Sequence, residues 1–201
     1  MSHNNLTKII LLIAIAIAII PYALIAQTMM NSNTFELDQE GQFSIKVDIP
    51  TGWRVFTREN GLELLFLDQT HDIRILPPSN VKALLTITVG RTTTNEQLSN
   101  DRFQRLISSS VLPLLPNAVE DRVALYQFGI NGGYNTYCIL TDATLVNKPP
   151  IPDEYKYVGL YFANYENGCI VYGTLLTDDI EAENFNLMLG SVSSIVPLFG
   201  S

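Results

Sequence analysis

The stretch Lys156-Tyr157-Val158-Gly159-Leu160-Tyr161-Phe162-Ala163-Asn164 decides how this chain is read. In extended conformation Val158, Leu160 and Phe162 share one face, and Tyr157, Gly159, Tyr161 and Ala163 share the other. A strand with one wet face would be polar at alternate positions, so a segment apolar on both sides is predicted to be central and covered above and below. Its hairpin partner follows at Cys169 to Thr177, through a turn at Glu166-Asn167-Gly168.

Two amphipathic segments are available as covers. After Gly90 the pattern becomes helical, with Thr94 as candidate N-cap and Gln97 at capping-box spacing. Leu98, Phe103, Leu106, Ile107 and Val111 form its stripe, and Pro113 and Pro116 end it. The second is predicted from Asp178 as N-cap with Glu181 three positions on. Phe185, Met188, Leu189, Val192 and Ile195 form its buried stripe.

Further upstream, Phe43, Ile45, Val47 and Ile49 alternate with Ser44, Lys46 and Asp48 until Pro50, Thr51 and Gly52 stop the strand. Trp53, Val55 and Phe56 open a second strand. Asn60-Gly61 is a two-residue hairpin signal, and Leu62 to Leu67 returns as a third, so an antiparallel meander is expected. Ile73 to Leu76 reads as a short strand and Val81 to Val89 as a longer one. Arg122 to Gly129 and Tyr134 to Thr144 read as a hairpin turning at Asn131-Gly132-Gly133. Asn147 to Asp153, with Pro149, Pro150 and Pro152, reads as an exposed loop, because three missing amide donors cannot serve a ladder. The expected fold is α+β, a central antiparallel β-sheet flanked by helices on both faces, over residues 35–201.

The first residues have a signal-peptide layout. Polar residues and Lys8 precede an apolar run from Ile9 to Ile20, and Pro21 ends or kinks it. That run is shorter than the roughly 20 residues that cross a bilayer as a helix. Residues 1–26 are expected to be a signal peptide cleaved between Ala26 and Gln27, with residues 27–34 as a linker. The alternative is an anchor retained over residues 9–26. The expected location is extracytoplasmic, either periplasmic or secreted. The chain carries a net charge of −8. Loss of residues 1–26 would remove Lys8 and no acid, giving −9. Such a surface repels phosphate backbones and anionic headgroups, which argues against nucleic acid or a lipid surface as main partner.

The order of elements, with Phe43-Ser-Ile-Lys-Val-Asp-Ile-Pro50-Thr-Gly52-Trp53 and the closing helix of Phe185, Met188, Leu189, Ser191, Val192 and Ser194, resembles the PsbP-like family. The likeness spans Phe35 to Pro197. It implies an α/β/α sandwich and non-enzymatic work. Its members include an extrinsic subunit of the oxygen-evolving photosystem, a nuclear import factor that binds a small GTPase, and many exported bacterial proteins.

The residues offer little reactive chemistry. His71, in Asp68-Gln69-Thr70-His71-Asp72, reads as part of a polar loop and lacks the further nitrogen or sulfur ligands of a usual zinc site. No Gly-x-Ser-x-Gly elbow accompanies any serine. Asp178, Asp179, Glu181 and Glu183 are explained by helix-dipole compensation. Cys138 and Cys169 lack CxxC spacing, which argues against a metal site or redox pair; in an oxidising compartment they could pair, unless a strand over residues 155–164 lies between theirs and holds them too far apart. No catalytic residue, metal or cofactor is expected. The least ordinary feature is the crowding of tyrosines into the second half, from Tyr126 to Tyr172. Tyrosine suits strands and interfaces alike, and Tyr155 and Tyr165 are the residues expected to border a site for a protein partner. The expected function is an exported non-enzymatic binding or assembly module of the cell envelope. The alternatives are an extracytoplasmic hydrolase with an unfamiliar site and a membrane-anchored accessory subunit.

Overall fold

The structure, a computed structural model, describes residues 30–38, 43–59, 64, 66–79, 81–130, 133–149 and 151–200. The expected signal segment over 1–26, its Ala26–Gln27 junction and the Asn60-Gly61 turn lie outside the described residues. In chain order the elements are β1 (Met30–Glu36), β2 (Phe43–Pro50), β3 (Arg54–Glu59), β4 (Leu67–Leu76), β5 (Ala83–Thr92), α1 (Asn100–Val111), β6 (Tyr126–Ile130), β7 (Gly133–Thr141), β8 (Tyr157–Tyr165), β9 (Cys169–Thr177), α2 (Glu183–Ser193) and β10 (Val196–Phe199). The protein is α+β. Its strands form a seven-stranded sheet in the order β3-β4-β5-β9-β8-β7-β6 and a three-stranded sheet in the order β1-β2-β10, every pairing antiparallel. Among the described residues no helix is long and apolar enough to cross a membrane.

β8 lies between β7 and β9, with Gly159 to Tyr165 all buried. Alternation sends its residues into two cores. Leu160 and Phe162 join Phe103, Leu106, Ile107 and Val111 of α1. Tyr161, Ala163 and Tyr165 join Phe185, Met188 and Val192 of α2. Full burial of a side chain such as Phe162 stabilises by about 2–3 kcal/mol, so the apolar two-sided strand is what drives both helices onto the sheet, one on each face.

The second sheet departs from the expected meander. β2 does not pair with β3; it lies in the same core as α2 and is flanked by β1 and β10. Both flanks are poorly marked in sequence. β1 is polar, and residues 30–34, expected as linker, are hydrogen-bonded strand paired register by register with β2. β10 is four residues long and contains Pro197, which an edge strand tolerates. The Arg91 guanidinium lies 5.3 Å and 4.7 Å from the stacked rings of Phe43 and Phe199, joining the two sheets by cation–π contact.

Local readings change too. Residues 67–76 form one ten-residue strand, so His71 stands in β4 and not in a loop. Arg122 to Leu125 lie outside β6. Both expected helix caps fail. α1 begins after Ser99 and α2 after Ala182, neither with a side-chain cap. Gln97 instead donates to the Asn164 carbonyl at 3.0 Å. Asp178 accepts the Lys156 amide at 3.0 Å and pairs with Lys82 at 2.7 Å.

Cys138 and Cys169 are free and buried, on β7 and β9 with β8 between them, and they belong to opposite cores. Burial pushes the Cys138 thiol up to about 11, and it raises Cys169 further. Thiolate is the reactive form. A disulfide-exchange reagent at neutral pH is therefore expected to label neither thiol in the native protein and both in denaturant. Prompt native labelling would contradict this packing.

Candidate interaction surface

The two tyrosines expected at a partner site are not brought together. Tyr155 precedes β8, half-buried, with the Lys82 ammonium 5.5 Å from its ring. Lys82 also donates to the Ile151 carbonyl at 2.6 Å and so ties the segment 151–155 to Asp178. Tyr165 ends β8 and is 2% exposed, its hydroxyl donating to the Ile195 carbonyl at 2.7 Å. It belongs to the core, and burial drives its phenol pKa upward. Other tyrosines pack on neighbouring rings, Tyr134 edge-on to Phe103 at 5.4 Å, Tyr172 against Phe162 at 5.2 Å, and the half-exposed Tyr126 on Tyr137 at 5.0 Å. The tyrosine enrichment is thus largely strand packing.

His71 and Asp72 are consecutive in β4 and project to opposite faces. Asp72 accepts the Thr88 hydroxyl at 2.7 Å. Among the described residues no three His, Cys, Asp or Glu side chains gather where they would hold a metal.

A cleft of about 590 Å³ opens beside the start of α1, lined by Asn100, Phe103, Gln104, Gln127, Tyr134, Asn135 and Thr136. Among the described residues these supply amides, hydroxyls and rings, and no carboxylate or imidazole. Its hydroxyls are engaged in the scaffold: Tyr134 donates to Asn100 at 2.7 Å and accepts from Asn164 at 3.0 Å, and Thr136 donates to the Tyr126 carbonyl at 3.0 Å.

The most distinctive surface lies elsewhere on the same side of the sheet. α1 covers that face over β7, β8 and β9, and on β4 Thr70 and Asp72 are buried there too, while side chains of β3 and Arg74 of β4 reach the surface. Register puts Arg54 opposite Leu76, Phe56 opposite Arg74, and Arg58 opposite Asp72. Arg54, Arg58 and Arg74 are exposed, and the Phe56 ring they surround is 51% exposed. Among the described residues the ion pair is Lys82–Asp178, and none involving these three guanidiniums is found there; Asp72, opposite Arg58, is the acid on the same face. Beyond them, Arg102 and Arg105 of α1 each lie 5.7 Å from the Phe66 ring. An acidic chain thus carries a cationic, aromatic-centred patch. The sequence signal was the alternation Arg54-x-Phe56-x-Arg58, which puts all three on one face of a strand.

No family model matches the chain, and no curated protein or solved structure is significantly similar to it.

Proposed function

We propose that this chain is an exported, non-enzymatic binding or assembly module of the cell envelope, PsbP-like in arrangement, that works by contact with another protein. The exposed side chains of β3 and Arg74 of β4 carry the reading. A half-exposed phenylalanine ringed by three arginines outside any described salt bridge has the composition of an interface centre, where aromatic residues and arginine are enriched. The signal-like residues 1–26 support an extracytoplasmic location, and the helices on opposite faces of the sheet support the α/β/α arrangement.

The test is a photoreactive phenylalanine analogue at position 56 of the full chain in its native host, with the same analogue at exposed Lys148 as control. A discrete protein adduct from position 56 and none from position 148 is the expected result. No adduct from position 56, or the same smear from both, would contradict the proposal.

A further inference from the structure

We infer that β3 is the docking edge for an extended acidic segment of a partner protein, its carboxylates meeting Arg54 and Arg58 and an apolar side chain between them meeting Phe56; this rests on the binding-module reading above. β3 is an outer strand of the seven-stranded sheet, paired on one side with β4. No strand among the described residues pairs with its other side, so its outward amide and carbonyl groups form a template for a further strand. A strand added there shares the rise of β3. Residues i, i+2 and i+4 of the newcomer therefore fall beside Arg54, Phe56 and Arg58, about 13 Å from first to last. Cross-strand neighbours of opposite charge attract and like charges repel. The matching pattern is acid, apolar, acid at alternate positions, with Arg74, opposite Phe56 on β4, as a third cation.

Charge also decides among occupants. A second copy pairing β3 with β3 antiparallel about Phe56 would set Arg54 against Arg58 of the other copy, an unfavourable pairing. A long polyanion such as nucleic acid would meet a chain of net charge −8 beyond the patch. A short acidic strand is attracted locally and limited to this edge.

Edge arginines also have a simpler use, since charge on an edge strand blocks self-association. The experiment separates the two. A fluorescent peptide with the core Glu-Thr-Leu-Thr-Glu is titrated with the full chain, and the anisotropy is compared with Gln-Thr-Leu-Thr-Gln, Lys-Thr-Leu-Thr-Lys and inorganic tripolyphosphate as competitor. The glutamate peptide is expected to bind, to weaken with added salt, and to lose about ten-fold in affinity in the R54Q/R58Q/R74Q protein, whose far-UV spectrum should be unchanged. Hydrogen exchange should slow in β3 on binding. Equal binding of the glutamine peptide, equal competition by tripolyphosphate, or a variant that self-associates while the native chain binds no peptide would each overturn the inference. If position 56 still captures a protein in the host, the binding-module reading survives and only the acidic-strand assignment falls.

Discussion

Replacing Asn164 by alanine is expected to lower stability by about 3 kcal/mol, far more than a polar substitution on a surface. Asn164 is fully buried in β8. Its Nδ2 donates to the Leu98 carbonyl at 2.9 Å, and its Oδ1 accepts the Leu98 amide at 3.1 Å. The side chain thus substitutes for a strand neighbour and satisfies both backbone groups of a residue that leads into α1. Truncation leaves those two buried groups unpaired, at about 1–3 kcal/mol each. It also removes the donor to the Tyr134 hydroxyl at the wall of the cleft. Urea unfolding measures the loss as a lower midpoint with an unchanged slope. A loss under about 1 kcal/mol would mean that water replaces the side chain and that the bridge does not order this loop.

Gly168→Ala should destabilise by at least a similar amount, about 3 kcal/mol, for a different reason. Gly168 sits at φ +78° in the β8–β9 turn, where an L side chain costs about 1–2 kcal/mol. An added Cβ would also stand 2.6 Å from the Asn95 carbonyl carbon and from Thr92 Oγ1, and 2.8 Å from the Glu96 amide nitrogen. Those atoms belong to the turn that brings the chain from β5 toward α1, and the Thr92 amide donates to the Gly168 carbonyl at 3.0 Å. Gly52 is the internal control. It has φ +83° with nothing within 4 Å of a built Cβ, so Gly52→Ala should cost only the conformational part. Equal losses at both positions by urea unfolding would show that the close approach at Gly168 relaxes freely.

These two sites show which parts of the fold the sequence makes legible. The apolar faces of β8 and the stripes of α1 and α2 are repeated signals, each residue reinforcing the next, and they place the helices and hairpins well. The β6–β7 and β8–β9 pairings follow from turn residues adjacent in the chain. Long-range choices are hidden. The alternation in β2 predicts a strand with one buried face, but not which neighbours it takes, and polar β1 and proline-containing β10 carry no strand pattern. The cap readings failed because Asn164 and the Lys82–Asp178 pair draw Gln97 and Asp178 into tertiary contacts that local spacing does not reveal.

The candidate interaction surface was less legible than the fold. Tyrosine count pointed toward Tyr155 and Tyr165, but a tyrosine hydroxyl that finds a buried carbonyl, as Tyr165 finds Ile195, serves packing as well as an interface would. Arg54, Phe56 and Arg58 carried a clear one-face spacing. Their exposure, however, depends on where α1 stops covering the sheet, and that is a tertiary fact.

That partial cover is the central physical claim, and hydroxyl-radical footprinting of the purified full chain, read by mass spectrometry, tests it most directly. Phe56 is 51% exposed, whereas Phe103 and Phe162 are buried beneath and beside α1. The expected result is rapid oxidation of Phe56 with Phe103 and Phe162 protected until the protein unfolds. Protection of Phe56 in the free protein, or native-state oxidation of Phe162, would contradict a sheet covered by α1 over β8 and exposed at β3.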